Sequence, residues 1–152
     1  KLSETRNAIK NGADEIDYVV NLTKLKAGDT AYIESEMARI TDICREFSVV
    51  SKVIFENCYL TEDEKKTLCH IATKVKPDFI KTSTGFGTGG ATFEDVALMK
   101  RETEGSGVKI KAAGGIRTLK TALEMINLGV SRIGSTSSVA IMEEYMANSP
   151  LL

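Results

Sequence analysis

The sequence predicts an α/β fold built on a parallel sheet, and three observations carry that prediction. Short apolar runs recur along the 152 residues, each followed by a longer stretch with helical apolar spacing. Several of the runs are apolar at nearly every position, as strands covered on both faces are. Turn and cap residues punctuate the alternation in the order that strand–helix crossovers require.

The elements follow in turn. The opening residues read as helix, and the Asn11-Gly12-Ala13-Asp14 turn leads into a strand over Ile16–Val20. A helical stretch from about Thr30 to Phe47 precedes a second strand over Lys52–Phe55, with Val49 and Val50 leading in. Thr61 with Glu64 three residues on is a capping-box pattern, and Leu68, Ile71, Ala72 and Val75 give that helix an apolar face. Pro77-Asp78 opens a third strand over Phe79–Thr82. Thr92 and Asp95 repeat the cap signal for a helix running to about Glu102. Val108–Ala112 is a fourth strand. The next helix, from about Thr118 to Leu128, ends at Gly129, placed for a left-handed residue beyond the helix end. Arg132–Gly134 is a fifth strand, and a last helix spans about Val139 to Ala147.

An open doubly wound sheet and a closed (β/α)8, or TIM, barrel both fit this alternation. One feature favours the barrel. Asn21, Glu56-Asn57, Thr82 to Gly90, Gly114 to Arg117 and Gly134 to Ser138 all fall just after strands. In a barrel those positions share one rim, where active sites are built. Such a barrel typically takes ~250 residues, so five units make an incomplete one. The chain opens on lysine already in helix, and it is expected to start inside a larger protein. With two prolines and no low-complexity tract, residues 1–152 read as a single domain.

Composition narrows the function. A net charge of −1, from 20 basic and 21 acidic residues, gives no electrostatic reason to expect nucleic acid or an anionic membrane as partner. No apolar run approaches the roughly 18 residues of a membrane span. Cys44, Cys58 and Cys69 show no C-x-x-C spacing and read as reduced, structural thiols in a cytoplasmic protein. His70, the only histidine, lies in a helix away from any strand end and reads as a surface or packing residue. No histidine–cysteine cluster has metal spacing, so no metal is expected.

The chemistry-bearing residues sit at strand ends. Lys81 ends an apolar strand in Ile80-Lys81-Thr82-Ser83-Thr84-Gly85, where a charge is costly unless paired or neutralised. Amine attack on a carbonyl needs a neutral lysine. At the ordinary pKa of about 10.4 only roughly one in 2,500 is neutral at pH 7, and a drop of about 3 units is worth roughly 4 kcal/mol. A second cation nearby supplies such a shift. Lys111, one unit later in Ile110-Lys111-Ala112-Ala113-Gly114-Gly115, is the candidate, against the plainer reading of two strand-end lysines that reach out to solvent. Asp17, flanked by apolar residues, shares a face with Glu15 and Val19 and is placed to meet Lys111. It reads as a proton carrier, or as one half of a stabilising ion pair. Lys52 and Glu56 are further candidates for the mouth, although Lys52 also reads as the partner of a neighbouring acid. Gly114-Gly115-Ile116-Arg117 and Gly134-Ser135-Thr136-Ser137-Ser138 both feed helices, where backbone N–H groups favour an anion, and Gly85 stands to add an amide.

Residues 4–17 (ETRNAIKNGADEID), 79–86 (FIKTSTGF) and 110–117 (IKAAGGIR), with the RIGSTSS stretch of strand five, resemble the deoxyribose-phosphate aldolases. The resemblance implies a (β/α)8 barrel of which this chain supplies about five C-terminal units, the family's first three strands having no counterpart here. It implies reversible cleavage of 2-deoxyribose 5-phosphate to glyceraldehyde 3-phosphate and acetaldehyde, with no metal or organic cofactor. By position Lys81 matches the Schiff-base lysine, Lys111 the second lysine and Asp17 the aspartate of the proton relay. Gly85, Gly114, Gly115, Ile116, Arg117, Gly134, Ser135, Thr136 and Ser137 match the phosphate-binding region; Ser138 stands where the family usually has glycine. A homo-oligomer, dimer or tetramer, goes with that reading. The alternatives are another phosphate-handling barrel lyase and a non-catalytic phosphosugar-binding or assembly protein.

Overall fold

The computed structural model describes residues 1–148. The elements are α1 (Leu2–Lys10), β1 (Glu15–Val19), α2 (Leu22–Lys26), α3 (Thr30–Glu46), β2 (Val50–Ile54), α4 (Glu62–Val75), β3 (Phe79–Lys81), α5 (Phe93–Glu102), β4 (Lys109–Ala113), α6 (Leu119–Asn127), β5 (Arg132–Gly134) and α7 (Ser138–Asn148), with a 3-10 turn at Asn57–Tyr59. The expected strands and helices all form, with ends moved by a residue or two. The capping box at Thr61 is closed in both directions, Thr61 Oγ1 accepting from the Glu64 amide and Glu64 Oε2 from the Thr61 amide. Thr92 caps α5 through the Asp95 amide, and Gly129 takes a φ of 98° just past α6. Two short elements escaped the sequence reading. In α2 the Asn21 side chain accepts from the Lys24 amide, so five residues make a helix too brief for a periodic signal. The 3-10 turn follows Glu56, whose left-handed φ of 59° no residue pattern announces.

All five strands are parallel and lie in sequence order, β1-β2-β3-β4-β5. That order separates the two candidate folds. Right-handed crossovers that always step the same way put every helix on one face of the sheet, whereas a doubly wound sheet reverses direction. Helices α3, α4 and α5 accordingly pack in succession on one side, and α6 packs on α7. The core lies between them and the outward strand residues: Ile16, Tyr18, Val53, Ile80, Ile110 and Ala112 meet Ile33, Met37, Ile40, Leu68, Val96 and Met99.

The inward face is of another kind. Register pairs Asp17 with Lys52, Lys81 with Lys111, and Lys111 with Arg132. In a flat sheet β1 and β4 would be about 14 Å apart, three strand spacings. Asp17 Oδ2 nevertheless lies 3.0 Å from Lys111 Nζ, and Glu15 on β1 pairs with Arg132 on β5. Side chains bridge those gaps only because the sheet curls. The structure is a five-strand arc of a (β/α) barrel, its concave face lined with charge.

Candidate active site

Three strand-borne lysines converge on one carboxylate. Asp17 Oδ1 accepts from Lys52 Nζ at 2.6 Å, and Oδ2 accepts from Lys81 Nζ at 2.7 Å and from Lys111 Nζ at 3.0 Å. Lys52, 1% exposed, also reaches Glu15 at 2.7 Å. Glu15 in turn binds Arg132, which stacks over the Phe79 ring at 4.8 Å. Alternation along β1 places both acids inward; register sets Lys52 beside Asp17, and Lys81 and Lys111 reach it from the next two strands. Four cations thus face two carboxylates, leaving an excess of positive charge on the concave face.

Electrostatics follow from that crowding. Burial alone would raise the pKa of Asp17, but the bonds from Lys52, Lys81 and Lys111 outweigh it and hold the carboxyl well below the usual range. Lys52 and Arg132 likewise lower Glu15. Lys111 is pushed below the ordinary lysine value chiefly by burial. Its bond and attraction to Asp17 oppose that push, while repulsion from Lys81 and Lys52 adds to it. The sequence placed Lys111 directly against Lys81; in the structure a shared carboxylate oxygen stands between the two ammonium groups.

Each hydroxyl after Lys81 has a separate task. Thr82 Oγ1 donates to the Ala113 carbonyl and accepts from the Ala113 amide, both at 3.1 Å, and so extends the β3–β4 ladder beyond the strand ends. Ser83 Oγ donates to Thr82 Oγ1. Thr84 binds Glu56 through its amide and its hydroxyl. The loop then packs on β4, the Ala91 amide donating to the carbonyls of Ala113 and Gly114. A Cβ on Gly90 would stand 2.3 Å from the Gly114 oxygen, so no larger residue fits that crossing.

A cavity of about 290 Å³ opens beside the lysines. Lys81 and Lys111 line one end, and Thr84 and Gly85 one side. The rest of the wall is formed by Gly114, Gly115, Ile116 and Arg117 together with Gly134, Ser135 and Thr136. Ser135 Oγ donates to the Ile116 carbonyl at 2.5 Å, tying the two glycine-rich loops together. Ser137 stands outside the wall; its amide donates to Ser135 Oγ at 2.9 Å and so fixes the loop. Ser138 opens α7 and faces an apolar hollow beside α6. The site the sequence foresaw is therefore gathered in one place, except for these two serines. Glu15, Arg132 and the hold of Glu56 on Thr84 were not foreseen.

His70 is exposed, with Nε2 3.1 Å from Glu102, far from the strand ends. Among the described residues no group of three or more His, Cys, Asp or Glu side chains is placed to hold a metal ion. No described helix is long and apolar enough to cross a membrane.

Comparison with known proteins gives the family. The model for the DeoC/LacD family aldolases matches residues 1–136. The deoxyribose-phosphate aldolase of Lactobacillus acidophilus is 57% identical over 143 residues, which cover 94% of this chain and 60% of that protein. Among solved structures, the aldolase QR15 superimposes with a TM-score of 0.88 at 42% identity, over 96% of this chain and 65% of the other. The tetrameric deoxyribose phosphate aldolase of Aeropyrum pernix gives 0.86 at 27% identity, over 98% and 62%. The chain spans about three fifths of the length of the curated relatives it matches. It belongs to the DeoC/LacD aldolase family.

Proposed function

We propose that the chain carries the imine-forming site of a deoxyribose-phosphate aldolase, acting reversibly on 2-deoxy-D-ribose 5-phosphate. The observation that supports this most is the shared oxygen. Asp17 Oδ2 holds both Lys81 and Lys111 in the wall of a cavity that is otherwise lined largely by glycine-rich loops.

Attack on the substrate aldehyde uses the neutral amine of Lys81. Burial, helped by repulsion from Lys81 and Lys52, lowers the pKa of Lys111, so a group able to take up the Lys81 proton lies on the same carboxylate oxygen. Nζ adds to C1, and loss of water leaves a protonated imine. Removal of the C3 hydroxyl proton lets the C2–C3 bond break; its electrons pass into the imine and glyceraldehyde 3-phosphate leaves. Protonation of the resulting enamine at C2, then hydrolysis, releases acetaldehyde and restores Lys81. Lys111, whose proton is loosened by burial, is the carrier for these transfers, and Asp17 orients it. Gly85, Gly114 to Arg117 and Gly134 to Thr136 serve the phosphate, with Arg117 as its cation and Ser137 bracing the loop from outside. The cavity sits at the small end of ligand pockets, about 300–1,000 Å³, as a phosphosugar requires.

The same reading takes residues 1–152 as one barrel domain of a cytoplasmic enzyme, supported by its free thiols, Cys44, Cys58 and Cys69. It takes the enzyme as a homo-oligomer, supported by the tetramer described for the Aeropyrum pernix aldolase. Borohydride reduction in the presence of deoxyribose 5-phosphate tests the chemistry. The expected result is one covalent adduct, mapped to Lys81 and lost in Lys81→Met. An unlabelled Lys81 overturns the proposal.

A further inference from the structure

Glu56 does not line the cavity, yet its geometry bears on it. It is 5% exposed and follows β2 with a φ of 59°. A side-chain-bearing residue persists in that conformation only where its surroundings hold it there. Both carboxylate oxygens are spent on one residue across the strand: Oε1 accepts from the Thr84 amide at 3.0 Å and Oε2 from Thr84 Oγ1 at 2.5 Å. Its neighbours grip the same loop by backbone. The Phe55 amide donates to the Lys81 carbonyl at 2.9 Å, and the Asn57 amide to the Thr82 carbonyl at 3.0 Å. The left-handed turn at Glu56 is what lets residues 55 and 57 point at the β3 end while the side chain between them reaches further along it.

The grip continues outward. Thr84 Oγ1 accepts from the Phe86 amide at 3.0 Å, which closes the turn over Gly85, itself at φ 95°. Where the loop comes back, a Cβ on Gly87 would stand 3.4 Å from the Glu56 carboxyl carbon and 2.9 Å from Cys58 Sγ. Glu56 is thus the post around which Thr84 to Gly87 is wound. Thr84 and Gly85 share the cavity with Lys81. The distance between the reacting amine and that wall is set by a carboxylate that touches neither cavity nor substrate.

We infer that Glu56 is a positioning residue for the anionic group of the substrate, holding Thr84 and Gly85 at a fixed reach from Lys81. The inference rests on the aldolase reading of Lys81. Removing the carboxylate frees the turn without altering the lysine cluster. The loss therefore falls on the anion and not on the aldehyde. Glutamine retains an oxygen for the Thr84 amide and offers an N–H to the hydroxyl, so it restores most of the grip.

The test compares Glu56→Ala and Glu56→Gln on deoxyribose 5-phosphate and on unphosphorylated deoxyribose. For Glu56→Ala the KM for the phosphorylated sugar is expected to rise about tenfold (~1.4 kcal/mol,). Its kcat and the constants for the unphosphorylated sugar stay within about twofold, and Glu56→Gln lies near wild type. A purely structural role lowers both substrates alike, and that outcome overturns the inference, as does no change. Calorimetric binding of inorganic phosphate supplies the second readout, independent of turnover and measurable on Glu56→Gln and Glu56→Asp should the alanine variant not fold. Binding weakened in the order Gln, Asp, Ala supports the inference; equal binding by all variants, or none by wild type, overturns it. If wild type binds phosphate in this Glu56-dependent way but traps no adduct at Lys81, the aldolase reading fails while the positioning of an anion stands.

Discussion

The two ends of the cavity are made by different means. At the lysine end every functional group is a side chain on a strand, placed by register and alternation: Asp17 and Glu15 from β1, Lys52 from β2, Lys81 from β3, Lys111 from β4. At the glycine end the wall is largely backbone in loops, held by hydroxyl hydrogen bonds such as Ser135 to the Ile116 carbonyl and Thr84 to Glu56. A strand fixes a side chain to within its own rotamers, as covalent chemistry demands. A loop offers many N–H groups at modest precision, which is enough for an anion that accepts from several directions. The difference teaches where each kind of change will register. Damage to the first end appears in kcat and in stability, damage to the second in KM.

The largest effect is expected from Asp17→Asn. It removes the one charge that Lys52, Lys81 and Lys111 share, so kcat falls by roughly 10²- to 10⁴-fold, the range of acid–base catalysis. Leaving the buried Lys52 with Glu15 alone also costs on the order of 3 kcal/mol at pH 7, read by urea denaturation. The pH dependence has a definite sign. The folded pKa of Asp17 lies below its ordinary 3.8, so the stability its ionisation contributes is fully present above about pH 4 and is lost as pH falls further. The gap between wild type and Asp17→Asn is therefore constant from pH 7 to pH 5 and narrows below pH 4. A gap that widens on acidification breaks this account of the cluster.

Gly134→Ala probes the seam between the ends. Its backbone tolerates a side chain, but a Cβ there stands 2.9 Å from the Ala113 Cβ and 3.5 Å from Lys111 Cε. The expected loss in kcat/KM is about tenfold, with both parameters affected, since overpacking of about 1–3 kcal/mol against Ala113 shifts the end of the strand that carries Lys111 as well as the loop. Steady-state kinetics that show a change in KM alone would place the seam elsewhere. The smallest effect belongs to Ser135→Ala, which unties the two glycine-rich loops. Of its two hydrogen bonds only the one to the Ile116 carbonyl joins the loops, the other lying within the loop after β5. One such bond is worth ~1 kcal/mol, so KM for the phosphorylated sugar rises about fivefold while kcat holds. A fall in kcat comparable to that of Asp17→Asn would erase the distinction between the ends.

The lysine end was far more legible in the sequence than the glycine end, for the same physical reason. A charge inside an apolar strand contradicts its surroundings, so Lys81, Lys111 and Asp17 stand out, and alternation gives their common face. Lys52 read correctly as an acid's partner for that reason. Arg132 and Glu15 did not declare themselves, because each lies at a strand start where charge is unremarkable; only the curl of the sheet brings them together. The loops gave composition without geometry. Glycine content marked Gly114 to Arg117 and Gly134 to Ser138, but which residue faces the cavity depends on hydroxyl bonds such as Ser137 N to Ser135 Oγ. The role of Glu56 was unreadable, since it hangs on one backbone angle.

The partners of Asp17 lie 35, 64 and 94 positions downstream of it, and Glu15 meets Arg132 across 117. Contacts of such separation form late, since each must first offset the entropy of closing its loop. A chain that has docked β2 and β3 already shields Asp17 with two ammonium groups. It gains the third only when β4 arrives, and Glu15 its arginine only with β5. The acid–lysine cluster is for that reason a counter of the winding, and Lys111, the last of its three lysines to join, arrives with the fourth strand of the arc.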